Sequence, residues 1–214
     1  MKLIAINGSP RRNANTATLL KHALEGAASQ EGVETELINL YGLNYKGCTS
    51  CFACKLKKGV HGKCAMKDDL SPVLEKIIAA DAVIFGSPIY LMNLTSGMNA
   101  LLERLIFSGM IYSDEIPSVY PHKIRSGFIY TMNITEEIAE RIHLKEIINM
   151  HLVFAETVLG HKPETLYAYN TYQFNDYSKY ESSKFSEIEK GTHRLEIFPM
   201  DCDDAFEMGK LLAK

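Results

Sequence analysis

The chain has 214 residues, 46% hydrophobic and 23% charged, which suits one α/β domain with a packed core. A formal charge of −3, with no basic cluster beyond Lys55, Lys57 and Lys58, argues against a nucleic-acid or anionic-membrane surface. No run of about 18 apolar residues offers a membrane span, the start Leu3–Ile6 is too short for a signal peptide, and five cysteines, an odd count, point to a reducing cytoplasm rather than a secreted disulfide scaffold.

Along the chain, apolar runs alternate with amphipathic stretches. Leu3–Ile6 reads as a strand that leaves through Gly8-Ser9-Pro10. Residues 16–28 carry Ala17, Leu19, Leu20, Ala23, Leu24 and Ala27 at helical spacing. Residues 33–40 alternate as a second strand. A cysteine-rich loop, 47–67, precedes a helix over about 70–80 that Ser71-Pro72 would start. Residues 82–86 form a buried strand ending at Ser87-Pro88, and residues 96–107 are helical. Residues 124–131 read as a fourth strand, 135–159 as one long helix closed by Gly160, and 165–169 as a fifth strand. The remainder is polar and Tyr-rich, and ends in a helix over about 203–212.

Strands separated by helices imply right-handed βαβ units and a parallel sheet covered on both faces. Five such strands suit an α/β, flavodoxin-like three-layer sandwich of order 2-1-3-4-5, with a ligand expected at the switch point between strands one and three. The expected organisation is a binding domain over 1–170, and an extension over 171–214 that packs on it or on a partner subunit.

Three loops meet the carboxyl edge of such a sheet. The first, 8–16, opens a helix, where unpaired N–H groups and the positive dipole end attract an anion. Ser9, Asn13, Asn15 and Thr16 add side-chain donors, and Arg11 or Arg12 adds charge. The loop is neither a Walker loop nor a G-x-G-x-x-G fingerprint, so it reads as a cradle for a terminal phosphate or as an ordinary capped βα turn. The second loop, Gly86-Ser87-Pro88-Ile89-Tyr90 through Met92 and Asn93, offers apolar and aromatic surface beside polar backbone, as a flat heteroaromatic ring requires; a plain turn ahead of a helix is the other reading. The third, Thr131-Met132-Asn133, brings a hydroxyl and an amide to the same edge.

Gly8-Ser9-Pro10-Arg11 with Asn15-Thr16, followed by Gly86-Ser87-Pro88-Ile89-Tyr90, resembles the NADPH-dependent FMN reductase family. The cysteine loop between these motifs is similar to that of the iron–sulfur flavoproteins within it. The resemblance implies bound FMN, with Ser9, Arg11, Asn15 and Thr16 at its phosphate and Pro88, Ile89, Tyr90, Met92 and Asn93 along the isoalloxazine. It implies NAD(P)H as hydride donor and a small acceptor such as a quinone, a flavin, a nitro or azo compound or a metal ion. It also implies a homodimer or homotetramer. An electron carrier between proteins is the alternative. Because the flavin carries the chemistry, no side-chain acid, base or nucleophile is demanded.

Cys48, Cys51 and Cys54 follow CxxCxxC spacing, and Cys64 completes a set of four. Thiolates so spaced can wrap a [4Fe–4S] cluster, hold structural zinc, or remain free or redox-active. The nine residues between Cys54 and Cys64 exceed the final gap expected of an iron–sulfur flavoprotein. His61 lies within the same loop. The histidines show no ligand spacing, and His143 and His151 read as helix surface.

Overall fold

The computed structural model describes every residue except Val60 and Asp114. Val60 falls inside the cysteine loop expected over 47–67. Five strands, β1 (Lys2–Asn7), β2 (Glu34–Asn39), β3 (Ala82–Pro88), β4 (Arg125–Thr131) and β5 (Glu164–Ala168), form one sheet. Its order is β2-β1-β3-β4-β5 and every pairing is parallel. This is the flavodoxin-like arrangement that the alternation of strands and helices implies.

Side-chain alternation divides the core into two layers. Ile4, Ile6, Val83, Phe85, Phe128 and Tyr130 face one side of the sheet. There they meet α2 (Ser71–Ala79), α3 (Ser96–Gly109) and the run of short helices before β5. Leu3, Ala5, Ile84 and Ile129 face the other side, against α1 (Asn15–Ala28) and the chain's final helix. Because both faces are covered, the central strands β1 and β3 read as nearly continuous apolar runs.

The segment 135–159 departs from the expected single helix. It is three: α4 (Glu136–Arg141), α5 (Leu144–Ile148) and α6 (Met150–Leu159). His143, at φ 54°, is in the left-handed region and stops the first turn-to-turn ladder. The break seats Leu144 and Ile148 in the core. His151 is also not surface. It packs on Phe128, with ring centroids 4.9 Å apart, and its Nε2 lies 2.9 Å from the Tyr130 hydroxyl. The tail is more ordered than its composition suggests. It holds α7 (Glu187–Glu196) and α8 (Phe198–Leu212), the latter starting five residues before the expected position. Among the described residues, no helix is long and apolar enough to cross a membrane.

The final helix crosses α1 at two glycines. A Cβ on Gly26 would stand 1.9 Å from the Phe206 carbonyl oxygen, and one on Gly209 would stand 1.7 Å from that of Ala23. Backbone therefore rests on backbone, and this approach fixes the helix that delivers the first loop. Gly26→Ala or Gly209→Ala should lower stability by about 3 kcal/mol through overpacking. Gly191→Ala, with open space around its Cβ, should raise it slightly. Urea midpoints of the three variants check this.

Burial pushes the His151 imidazole down to about 4, against an ordinary value of 6.5. Between those values the unfolded chain takes up a proton that the folded chain refuses, so stability should fall as pH drops from 6.5 toward 4. His151→Gln should flatten that dependence, read as the denaturation midpoint against pH.

Candidate functional site

The carboxyl edge is built from short local hydrogen bonds. Buried Asn7, at the end of β1, donates to Asn39 at 2.8 Å and accepts from the Ser9 amide at 3.0 Å. The Ser9 hydroxyl in turn accepts from the Arg11 amide at 3.1 Å. These two side-chain turns bend the chain away from the sheet and into α1. The loop is tied to its neighbour by two further bonds. The Gly8 amide donates to the Gly86 carbonyl at 2.8 Å, and the Thr95 hydroxyl donates to the Gly8 carbonyl at 2.8 Å while accepting from Met98 to cap α3.

By contrast, α1 begins without a side-chain cap. Ala14 occupies the cap position, and no acidic residue lies in the first turn. The first amides of α1 thus present their dipole to whatever fills the cleft beside them. The Thr16 hydroxyl of this turn lies 2.8 Å from the Thr131 hydroxyl at the end of β4, and both are buried. That contact joins the first and third loops across the switch point. The second loop is secured to β4 by the Ile89 amide, which donates to the Thr131 carbonyl at 2.9 Å.

Ser9, Arg11, Asn15, Thr16, Pro88, Ile89, Tyr90 and Thr131 all line one cavity of about 110 Å³. Asn13 lines the adjoining open cleft of about 610 Å³ instead. Met92 and Asn93 stand outside the lining, at the tip of the second loop. There Tyr90 and Asn93 exchange backbone hydrogen bonds of 2.8 and 3.0 Å, and Asn93 Oδ1 accepts from the Leu94 amide at 2.8 Å. Between them Leu91 and Met92 hold φ of 48° and 62°. Two consecutive left-handed residues without glycine are costly. At this tip Leu91 is fully exposed, and Tyr90, which lines the cavity, is half exposed.

A fourth segment completes the wall. Thr171, Tyr172 and Gln173 line the same cavity, reached directly from β5. The Asn15 amide group donates to the Tyr172 carbonyl at 2.9 Å, Arg11 donates to the Gln173 carbonyl, and Arg194 of α7 donates to Asn15 Oδ1 at 2.8 Å. Lys190 is buried and donates to the Asn133 carbonyl at 2.7 Å and to Asn170 Oδ1 at 2.8 Å; burial pushes its ammonium down to about 8. The tail is thereby strapped over the first loop of its own chain. Sequence reasoning missed Tyr172 and Gln173 because their main-chain carbonyls do the contacting, and Lys190 and Arg194 because they lie in a polar stretch. The usable signal was position, since whatever follows β5 also leaves at the carboxyl edge.

The four clustered cysteines come together on the α3 side. Cys48, Cys51, Cys54 and Cys64 line one small cavity with Phe52, Met66, Arg104 and Phe107. All are free thiols, and burial pushes that of Cys54 up. Among the described residues, no three His, Cys, Asp or Glu side chains are grouped as a single metal ion requires. That cavity is about 20 Å³, so a larger centre would require the loop to part. Ser50 and Phe52, at φ 53° and 55°, mark where its backbone is already strained.

The sequence profile described as NADPH-dependent FMN reductase matches residues 1–118. An iron–sulfur flavoprotein of Methanocaldococcus jannaschii is 30% identical over 165 residues, covering 77% of this chain and 79% of that one. An iron–sulfur flavoprotein of Archaeoglobus fulgidus is 41% identical over 104 residues, about half of each chain (49% and 48%). Among solved structures, the NAD(P)H:quinone oxidoreductase of Methanothermobacter marburgensis superposes with a TM-score of 0.70 at 15% identity, over 100% of this chain and 98% of that one. The FMN-dependent NADH-azoreductase of Bacillus anthracis, solved with FMN, gives 0.67 at 14% identity, over 100% and 99%. The last two likenesses concern the fold alone. The profile match spans more than half of the chain and agrees with the uncapped helix at the switch point: the chain belongs to the NADPH-dependent FMN reductase family.

Proposed function

We propose that this chain holds FMN in the cavity between the first, second and third loops and acts as an NAD(P)H-dependent oxidoreductase toward a small acceptor. The observation that carries this reading is the uncapped start of α1 beside Ser9, Arg11 and Thr16, with no acidic side chain in the first turn. An anion there meets free N–H groups, a helix dipole and a cation. A site with those donors fits the terminal phosphate of FMN.

When bound, FMN supplies hydride acceptance and one- or two-electron transfer. The chain's own residues then have distinct tasks. Ser9, Arg11, Asn15 and Thr16 hold the phosphate, with Asn13 at the cleft beside it. Pro88, Ile89 and Tyr90 supply the apolar face, and the strained tip bearing Met92 and Asn93 borders it. Thr131 fixes the spacing of the loops through Thr16. Tyr172 and Gln173 exclude water from one side. On this reading residues 1–170 form the binding unit and 171–214 close over it, with a second copy of the chain covering the exposed mouth near Tyr90. The names of the superposing enzymes make quinones and azo compounds the acceptors to try first.

A second reading has a specific observation behind it. Four thiols line one cavity in a chain whose curated relatives are called iron–sulfur flavoproteins. A [4Fe–4S] cluster on Cys48, Cys51, Cys54 and Cys64 would make the protein an electron relay, in which the cluster rather than a soluble acceptor exchanges electrons with the flavin.

Titration of FMN and riboflavin against the apoprotein tests the first reading. FMN should bind at least about 100-fold tighter, the gap being the worth of the charge-assisted phosphate contacts. Arg11→Ala, an exposed position, should narrow that gap by roughly tenfold without changing riboflavin affinity. Equal affinities for the two flavins would contradict the phosphate assignment. Anaerobic NADPH oxidation with a quinone, set against iron and sulfide content, then separates reductase from relay.

A further inference from the structure

The flavin reading leaves a larger cavity without a task. A cleft of about 610 Å³ adjoins the flavin cavity and shares Arg11, Asn15, Tyr172 and Gln173 with it. Small-molecule sites occupy about 300–1,000 Å³, so the cleft has room for a second ligand beside the flavin. Its outer wall is tail: Phe174, Asp176, Lys179 and Tyr180 around the short turn Tyr177–Lys179, with Arg194 from α7.

Charge and stacking surface together define what fits. Arg11, Lys179 and Arg194 line the cleft against one carboxylate, Asp176, in a chain whose formal charge is −3. Among the described residues, each guanidinium spends Nη1 alone on the wall, Arg11 on the Gln173 carbonyl and Arg194 on Asn15 Oδ1. The Lys179 ammonium is exposed and lies 3.1 Å from Asp176. Three cations of which one is answered suit a ligand with more than one negative charge. Phe174 and Tyr180 stack in parallel, their ring centroids 4.1 Å apart and their planes 9° from one another. Tyr180 is half exposed, which leaves ring surface for a further flat group.

The position of the cleft limits what its ligand can do. It meets the flavin cavity at Arg11 and Asn15, the phosphate end, whereas Pro88, Ile89 and Tyr90 line the flavin cavity alone. A group bound in the cleft therefore lies away from the reacting ring and serves as a handle. A dinucleotide hydride donor carries such a handle, because a pyrophosphate holds its adenosine apart from its nicotinamide. We propose that this cleft is the adenosine-phosphate subsite of the hydride donor, with the base on Tyr180 and with Lys179 and Arg194 selecting the 2′-phosphate that distinguishes NADPH from NADH. The inference rests on the reading of the chain as an NAD(P)H-dependent flavin enzyme and names the residues that choose its donor.

The test is calorimetric titration of FMN-loaded, full-length protein with adenosine 2′,5′-bisphosphate and, separately, with adenosine 5′-monophosphate. The bisphosphate should bind about tenfold tighter, compete with NADPH and leave the flavin in place. Lys179→Ala and Arg194→Ala should each weaken it about threefold and narrow the NADPH-to-NADH ratio of kcat/KM by a similar factor. Asp176→Asn, which removes the one carboxylate and keeps a side-chain acceptor for the turn, should tighten it, an opposite sign that loosened packing would not produce. Equal affinities for the two adenosine phosphates, or an unchanged bisphosphate affinity in both Lys179→Ala and Arg194→Ala, overturn the subsite. Displacement of FMN by the bisphosphate, or tighter binding of FAD than of FMN by the apoprotein, assigns the cleft to the cofactor's own nucleotide and overturns it as well. Protein that takes up no FMN overturns the underlying reading, a failure separate from tight FMN without bisphosphate binding, which overturns the subsite alone.

Discussion

The site depends on a helix that starts without a counter-charge. In α3, α4 and α7 a side chain accepts a hydrogen bond from the first turn. In α1, as in α2, α5, α6 and α8, no side chain does so, and at the switch point between β1 and β3 Ala14 leaves the turn open beside the cavity. Helix dipoles are strongest in effect within the first turn, and a chain that leaves one unanswered at the mouth of a cleft favours an anion there. The rest of the edge serves this opening. Asn7 and Ser9 bend the chain into it, Thr95 ties it to the second loop, and Thr16 ties it to Thr131. The packing of α1 on α8 through Gly26 and Gly209 sets its angle from the opposite end.

Much of this was legible in the residues. β1 and β3 are short apolar runs that end at Gly-Ser-Pro, β2 alternates, and helical spacing separates the strands, so their order followed from the rules of parallel sheets. The first-loop donors and Pro88, Ile89, Tyr90 and Thr131 were legible for the same reason: they sit where strands end. What was not legible lacks a compositional signature. The left-handed turn at His143 divides 135–159 within an unbroken apolar pattern. Helix α7 has a polar sequence, and its one buried residue is Lys190, held by hydrogen bonds rather than by area. His151 reads as polar surface until Tyr130 is seen to receive it. Tyr172 and Gln173 contribute carbonyls, which any residue could supply.

The cysteines show the same division between spacing and surroundings. CxxCxxC plus Cys64 announced a candidate centre, and the fold brings all four to one cavity. The spacing did not reveal Arg104, forty residues further on and reached through the packing of α3. A thiol cluster in apolar surroundings resists ionisation, as burial does to Cys54. The charge of neighbouring Lys55 offsets only part of that effect, and buried Arg104 lines the same cavity. The strap formed by 171–173 walls the cavity at the first loop while the cysteine loop lies on the α3 side, so the two candidate sites share a sheet edge but not a wall.

The most direct test of the central claim is a backbone amide NMR titration of the apoprotein with FMN. Saturable shifts concentrated at Arg12 to Ala17, with a second group over Ile89 to Asn93, are the predicted result. Shifts that leave the start of α1 untouched, or no saturation at millimolar flavin, would contradict the account.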